Sequence, residues 1–159
     1  MALLAGALLA ACAARSPAPV EDREVEQRVR SPAREESEGV QVFPLQNPAV
    51  QQLTDEARRA EYAGDYDQAA LLLERAMRIQ SRDPELMQHM AEIQIQKRDW
   101  EQALGFATRS FDIGPRVGEI CARNWRTIGV AREHLDDPKG AREAEQRAGQ
   151  CMNTRPAGL

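Results

Sequence analysis

Apolar and polar positions divide the chain into three zones. Residues 1–12, MALLAGALLAAC, carry no charge and no hydroxyl, although 29% of the whole chain is charged. From residue 13 to residue 48, proline, serine, glutamate and arginine alternate with few large apolar side chains. From about residue 50 to residue 152, small and large apolar side chains recur in blocks that align when the chain is shifted by 34 residues. This pattern predicts one packed domain of repeated units, preceded by a polar segment.

The repeat is visible when the chain is compared with itself. GDYDQAALLLERAMRIQ aligns with RDWEQALGFATRSFDIG, so that Tyr66 falls on Trp100. A third unit follows after four extra residues, and its opening places Trp125 four residues before Gly129. These features resemble the tetratricopeptide-repeat (TPR) family, whose 34-residue unit is a helix–turn–helix. The resemblance gives a TPR domain over 49–152, with repeats at about 50–83, 84–117 and 118–152, followed by a flexible tail over 153–159.

This resemblance implies an all-α fold, in which three TPR-like helical hairpins form a short right-handed solenoid preceded by a disordered tether. Small side chains let paired helices approach to about 8–10 Å, and larger side chains fill the remaining space. The expected small positions are Ala57, Ala69, Ala91, Ala103, Gly129 and Ala141. The expected large positions are Leu53, Leu73, Met87, Phe106, Trp125 and Ile128. The last helix, KGAREAEQRAGQC, has a polar outer face and can cap the stack.

Composition and charge exclude several classes of function. A formal net charge of −4 and the absence of a large basic cluster argue against a nucleic-acid partner. The two histidines, His89 and His134, are too few and too far apart in sequence to indicate a metal site. The sequence contains no G-x-S-x-G elbow, phosphate-cradling glycine loop or C-x-x-C pair. We therefore expect no catalysis, no cofactor and no small-molecule substrate.

The apolar opening has the character of a secretion signal. Its length is too short for a membrane span, which needs about 20 residues, but it suits the apolar region of a signal peptide. Leu9-Ala10-Ala11-Cys12 resembles the lipobox of bacterial lipoproteins, which implies a signal peptide over 1–11 and a lipid on Cys12. Ala13 stands where that family places the aspartate of inner-membrane retention, which favours the periplasmic face of the outer membrane. The alternative is an apolar N-terminus with an incidental cysteine.

The polar segment is predicted to link this anchor to the packed domain. Residues 12–48 form the lipidated N-terminus and a flexible linker, and Ala13 to about Gly39 is interpreted as a disordered tether. Few apolar groups are present there to offset the entropy lost on ordering. The charge run also allows a transient helix over residues 21–30.

Two features close the linker. VQVFPL, Val40 to Leu45, is interpreted as a clip that packs onto the first helix or along a groove, with a partner-recognition motif as the alternative. Pro44 interrupts any strand or helix there. Asn47 followed by Pro48 predicts the start of the first long helix, with asparagine as its N-cap.

The remaining two cysteines suggest a covalent link. Cys121 and Cys151 each lie 15 residues from Asp136, at the centre of the last turn. Residues equidistant from the turn of an antiparallel hairpin lie level with each other. Export would place the pair in an oxidising compartment, so we predict a disulfide that closes a 30-residue loop. The alternative is two buried thiols.

The family resemblance also implies a binding surface. TPR solenoids bind peptides or protein segments on the concave face, which is lined by the first helix of each pair. The residues that the resemblance places there are Thr54, Arg58, Glu61, Tyr62, Gln88, Glu92, Ile95, Arg126, Val130 and Glu133. This mixed surface lacks the paired Lys/Asn carboxylate clamp of chaperone-binding members, and an ordinary solvated face is the alternative for each residue.

Taken together, the features resemble a family of lipid-anchored adaptors. The combination of anchor, tether and repeats is similar to TPR-type lipoproteins that activate a class A penicillin-binding protein, the bifunctional peptidoglycan synthase. The resemblance implies a protein partner of that class in cell-wall synthesis and a membrane contact through the lipid. A pilotin-like assembly factor for an outer-membrane secretin or type IV pilus is the alternative, and a structural wall-binding protein is a third possibility.

Overall fold

The computed structural model of the chain describes residues 24–32 and 47–152, and within these ranges it contains helices and no strand. The all-α prediction is therefore confirmed. The predicted signal peptide, Cys12, the clip at Val40 to Leu45 and the tail at 153–159 lie outside the described residues. The helices are α1 (Val25–Arg30), α2 (Pro48–Tyr62), α3 (Tyr66–Ile79), α4 (Pro84–Gln96), α5 (Trp100–Ile113), α6 (Glu119–His134) and α7 (Pro138–Met152).

Helices α2 to α7 pair in chain order as three hairpins, α2–α3, α4–α5 and α6–α7, and α3–α4 and α5–α6 contacts join successive hairpins. This is the predicted stack of three TPR-like units. None of the helices in the described ranges combines the length and apolar character that a membrane span requires.

Side-chain caps fix where the helices begin. Asn47 accepts a hydrogen bond from the backbone N–H of Ala49 (2.9 Å), at the start predicted from the Asn-Pro pair. Asp65 caps α3 by accepting from the N–H of Gln68 at 3.0 Å, and Asp99 caps α5 by accepting from the N–H of Gln102 at 3.1 Å. Because Asp65 and Asp99 are 34 residues apart, the repeat in the sequence is also a repeat in hydrogen bonding.

The three hairpin turns share a left-handed backbone position. Gly64 occupies it in the first turn with φ of 77°, Arg98 in the second with φ of 60°, and Asp136 in the third with φ of 58°. A side chain at such a position costs about 1–2 kcal/mol relative to glycine. In the second turn, Arg98 thus adopts the left-handed conformation that Gly64 adopts in the first turn.

The core consists of small and branched side chains between the paired helices. Five of the six predicted small positions, Ala57, Ala69, Ala91, Ala103 and Gly129, are buried. In α7 the buried residues are Gly140, Ala144, Ala148 and Cys151, whereas the predicted Ala141 is only half-buried. The difference arises because Ala141 lines a cleft formed by α1, α6 and α7. Of the large positions, Leu53, Leu73 and Ile128 are buried, and Met87, Phe106 and Trp125 are half-buried at the margin.

A disulfide closes the open end of the α6–α7 hairpin. Cys121 and Cys151 are bonded, with their Cα atoms 5.7 Å apart and both side chains buried. Phe111, Trp125 and Met152 pack around the bridge. The outer face of α7, which carries Arg142, Glu143, Glu145, Gln146 and Arg147, is exposed as a terminal repeat requires.

Candidate partner-binding groove

The first helices of the three hairpins, α2, α4 and α6, line one face of the stack, and α1 lies against α4 and α6 on that face. The segment from Glu24 to Pro32 is therefore ordered against the domain, although it falls within the predicted tether. The helix that its charge run allowed over 21–30 agrees with this position. Its backbone hydrogen bonds follow the wider π pattern over Val25–Arg30.

Aliphatic contacts hold the inner side of α1. Val25 and Val29, one turn apart, are 1% and 0% exposed. They pack with Ile95 of α4 and with Val130 of α6 in one buried cluster. The two valines therefore occupy the apolar part of the face that the family resemblance assigned to a ligand.

An arginine of α1 enters the polar part of the same face. The Arg30 guanidinium donates from Nη2 to Glu61 Oε1 at 2.7 Å and from Nε to Glu92 Oε2 at 2.8 Å. Glu61 belongs to α2 and Glu92 to α4, so one side chain links the first two repeats. We call this set of contacts, formed by Arg30, Glu61 and Glu92, the arginine site.

The Glu92 carboxylate lies at the centre of the groove and is fully buried. Besides Arg30, it accepts hydrogen bonds from Arg123 of α6, at 2.6 Å from Nη2, and from Gln88 Nε2 at 2.9 Å. Gln88 also donates to Thr127 Oγ1 at 2.7 Å, which ties α4 to α6. Every repeat therefore contributes to a network around one carboxylate.

The arginines determine the charge state of this network. Burial alone raises the pKa of Glu92, but the charges of Arg123 and Arg30 outweigh it and lower the pKa to about 2. Burial also raises the pKa of Glu61, and the hydrogen bond from His89 together with the Arg30 charge lowers it below the ordinary value. The same carboxylates raise the pKa of Arg30 against the opposing effect of its burial. Both acidic groups are therefore ionised at neutral pH.

More exposed contacts surround α1 at the rim. Arg28 pairs with Glu133 of α6 and with Glu24. Glu24 also lies 3.2 Å from Nε2 of His134, whose ring stacks on Trp100 with centroids 3.9 Å apart. Exposed ion pairs of this kind contribute about 0–1 kcal/mol each. The rim therefore orients α1, and the valines and Arg30 hold it.

Comparison with known proteins places the fold in a family. A family model described as Tetratricopeptide repeat matches residues 60–109. The solved structure of the globular C-terminal domain of P. aeruginosa LpoP is 31% identical, with a TM-score of 0.61, and the match covers 65% of this chain and 98% of that one. The chain belongs to the tetratricopeptide-repeat family.

A second solved TPR structure agrees with the fold alone. The Sgt2 TPR domain from Aspergillus fumigatus is 23% identical with a TM-score of 0.62, and the match covers 68% of this chain and 69% of that one. No curated protein sequence matches the chain significantly. A TPR domain is a scaffold for protein interaction, which makes the groove a candidate binding surface.

Seven of the ten residues predicted for this TPR groove surround α1 or the adjoining cleft. Glu61, Ile95, Val130 and Glu133 contact α1, while Gln88 and Glu92 form the buried network. Arg126 pairs with Glu145 of α7 at 3.1 Å. Together with Val130 and Glu133, Arg126 lines a cleft of about 480 Å³ beside α1.

The other three predicted residues lie away from this cluster. Thr54 donates to the carbonyl of Val50 on its own helix, Arg58 pairs with Asp55 on the exposed side, and Tyr62 is 86% exposed. All three belong to α2, which contacts α1 through Glu61 near its C-terminal end. The groove as observed is centred on α4 and α6, because the short α1 reaches only the C-terminal end of α2.

Several residues of the groove were not predicted from the sequence, namely Val25, Val29, Arg30, His89 and Arg123. A signal for Arg30 exists in the charges, since the predicted groove contains three glutamates and only two arginines, Arg58 and Arg126. The second signal, for the docking of α1, was the pair of valines four residues apart in a charged segment. Neither signal specifies which distant segment docks. Among the described residues, no cluster of three His, Cys, Asp or Glu side chains can hold a metal ion.

Proposed function

We propose that the protein is a lipid-anchored periplasmic TPR adaptor that binds a class A penicillin-binding protein and activates its synthesis of peptidoglycan. The observation that carries the proposal is the match to the LpoP domain, at 31% identity over 98% of that chain. The sequence resemblance to TPR-type lipoprotein activators supports the same reading. Cys12 at the end of the apolar run supplies the anchor in this proposal.

The proposed mechanism requires no chemistry from the TPR domain. A bound protein shifts a conformational equilibrium only by as much as its affinity differs between the two states. The adaptor would therefore bind the active conformation of the synthase more tightly than the inactive one. A tenfold preference corresponds to about 1.4 kcal/mol, which a few contacts can supply.

A polymerisation assay tests activation. The soluble chain, residues 13–159, is added to the purified class A synthase of the same organism, and glycan-strand formation is followed with labelled lipid-linked precursor. We expect a several-fold increase in rate that saturates with the concentration of the adaptor. The Sgt2 TPR domain is a control that matches the fold at 23% identity. An unchanged rate at saturating adaptor would reject the proposed activation.

Membrane fractionation tests the anchor separately. In cells, wild-type protein is expected in the outer-membrane fraction, and the Cys12→Ala variant is expected in the soluble periplasmic fraction. A Cys121→Ala/Cys151→Ala variant is the matched control, because it removes cysteines without removing the proposed lipid site. Retention of Cys12→Ala in the membrane would exclude lipidation at that residue as the anchor.

A further inference from the structure

The segment in the groove is part of the same chain and has a simple recognition pattern. Val25 and Val29 place two aliphatic groups one turn apart, and Arg30 follows directly. The domain meets the aliphatic groups with Ile95 and Val130 and meets the guanidinium with two carboxylates from different helices. A planar guanidinium suits such paired acceptors better than an ammonium does, so the site favours arginine over lysine.

The buried carboxylates of the groove also have hydrogen-bond partners that do not belong to α1. Glu92 remains hydrogen-bonded to Arg123 and Gln88, and Glu61 remains 2.8 Å from Nε2 of His89. Release of α1 therefore leaves neither buried carboxylate without a hydrogen-bond partner. What release exposes is the aliphatic surface of Ile95 and Val130 together with the carboxylate edges that Arg30 covers.

The match to LpoP suggests that α1 is additional to the repeat domain. The matched 65% of this chain corresponds to about 103 of its 159 residues. This length is close to that of the six helices α2–α7, which run from Pro48 to Met152. The match thus has the length of the six-helix repeat domain.

We infer that this groove is a receptor for a helical segment carrying two aliphatic side chains one turn apart followed by an arginine, and that α1 fills it intramolecularly. A protein partner bearing such a segment binds by displacing α1. The inference rests on the proposed function only in assigning the competing segment to that partner. The receptor itself is a property of the described helices.

Tethering sets how strongly α1 competes. Residues 33–46 join α1 to α2, and a segment joined to its site through so few residues has an effective concentration on the order of millimolar. If the groove binds the free segment with a dissociation constant of about 100 μM, α1 weakens any competitor roughly tenfold or more. Displacement also lengthens the reach from Cys12. A limit of about 3.5 Å per residue gives a maximum reach of about 40 Å for residues 13–23 and of about 120 Å for residues 13–47.

Binding of a synthetic peptide tests the receptor. The probe is a fluorescent peptide of residues 21–34, EDREVEQRVRSPAR, titrated with the soluble chain and with its Val25→Asp/Val29→Asp variant, in which α1 cannot re-enter the apolar cleft. We expect the variant to bind the peptide at least tenfold more tightly than the wild-type chain does. Equal affinity for both chains, or no binding to the variant, would overturn the inference.

Peptide variants locate the arginine site. Arg30→Glu in the peptide is expected to weaken binding to the vacated chain at least tenfold, because it places a carboxylate against Glu61 and Glu92. Arg28→Ala is the matched control, since Arg28 is 45% exposed and pairs at the rim, and we expect a change of less than threefold. Equal losses for the two peptides would contradict a specific arginine site.

A chain that can be cut between α1 and α2 provides a second test, which is needed if the Val25→Asp/Val29→Asp variant fails to fold. A protease site inserted between residues 33 and 46 is cut after folding, so that α1 is held only by its contacts. The labelled peptide is then expected to exchange with α1 at a rate and extent set by concentration. Absence of exchange over days would mean that α1 is a permanent part of the core.

Locking α1 in place tests displacement by the partner. An Arg28→Cys/Glu133→Cys variant of the soluble chain, changed at two positions whose side chains are in contact, is bridged with a short bis-maleimide. The unbridged double-cysteine protein is the control. If the wild-type chain activates the synthase, the bridged protein is expected to lose at least 80% of that activation. Full activation by the bridged protein would refute displacement and leave the proposed function intact. Failure of the wild-type chain to activate would refute the function, while the peptide result still decides the receptor.

Discussion

The α6–α7 hairpin and the groove share α6 but are stabilised in opposite ways. In the hairpin, Ala144 and Ala148 are fully buried, and a disulfide between Cys121 and Cys151 joins the far ends. Its partners are close in sequence, since they belong to one repeat. Such packing depends on volume and on covalent closure, and it is insensitive to ionisation.

The groove depends on matched charge. Glu92 is fully buried and is compensated by arginines 62 and 31 residues away in the chain, Arg30 and Arg123. A buried ion pair contributes little beyond an apolar replacement, but loss of one partner is costly. The hairpin is thus stabilised by packing and a covalent bond. The groove is selective for a segment whose charges match its own, such as α1.

The largest effect that separates the two regions is expected for Glu92→Ala. The substitution leaves Arg123 and Arg30 without their shared carboxylate, and breaking a buried pair in this way costs about 3–5 kcal/mol. Urea denaturation followed by circular dichroism gives the free energy of unfolding. Glu143→Ala, which removes an exposed pair with Arg147 on α7, is the control and should cost less than about 1 kcal/mol. Similar losses for both variants would mean that burial does not distinguish the two charge pairs.

Opening the disulfide is the corresponding perturbation of the hairpin. A bridge between residues 30 apart restricts the unfolded chain by about 3–4 kcal/mol, so Cys121→Ala/Cys151→Ala should lower stability by about that amount. Binding of the peptide of residues 21–34 to the vacated groove should be unchanged in this background. Thiol labelling of unreduced protein checks the bridge itself, because labelling of both cysteines would show that it is absent in solution.

Acid should weaken the groove selectively. The Glu92 carboxyl has a pKa of about 2 in the folded protein and near the ordinary value of 4.5 when unfolded. Between these values the unfolded state binds the proton, so the stability from this group is present above about pH 4.5 and is lost as the pH falls toward 2. The loss amounts to roughly 3 kcal/mol.

Two variants assign this pH dependence to its region. Glu92→Gln should reduce the fall in unfolding free energy between pH 4.5 and 2, measured by urea denaturation at each pH, and the remaining fall comes from groups such as Glu61, whose pKa is also lowered. The Cys121→Ala/Cys151→Ala variant should keep the full slope at a lower absolute stability. A slope that vanished in the cysteine variant would place the titrating group in the hairpin and contradict the contrast drawn between the regions.

The same contrast explains what the sequence could predict. The three hairpins followed from the 34-residue period, because each repeat is a local unit whose small and large residues recur at fixed positions. Glu61, Gln88 and Glu92 followed from their place in the first helix of a repeat. The docking of α1 did not, since Val25 and Val29 are too few to give a periodic signal and Arg30 finds its carboxylates 31 and 62 residues away. Local periodicity carries no information about such pairing.

The smallest predicted effect tests whether the repeats are locally equivalent. Asp65→Ala and Asp99→Ala each remove an N-cap that accepts from the third N–H of its helix, at 3.0 and 3.1 Å, and each should cost about 1 kcal/mol. The asparagine variants, which retain an acceptor oxygen, should be nearly neutral. Neither cap contacts the groove network, so the two losses should be equal and should leave peptide binding unchanged. A markedly larger loss at Asp99 would mean that the left-handed Arg98 before it, where the first repeat has Gly64, makes the second turn dependent on its cap.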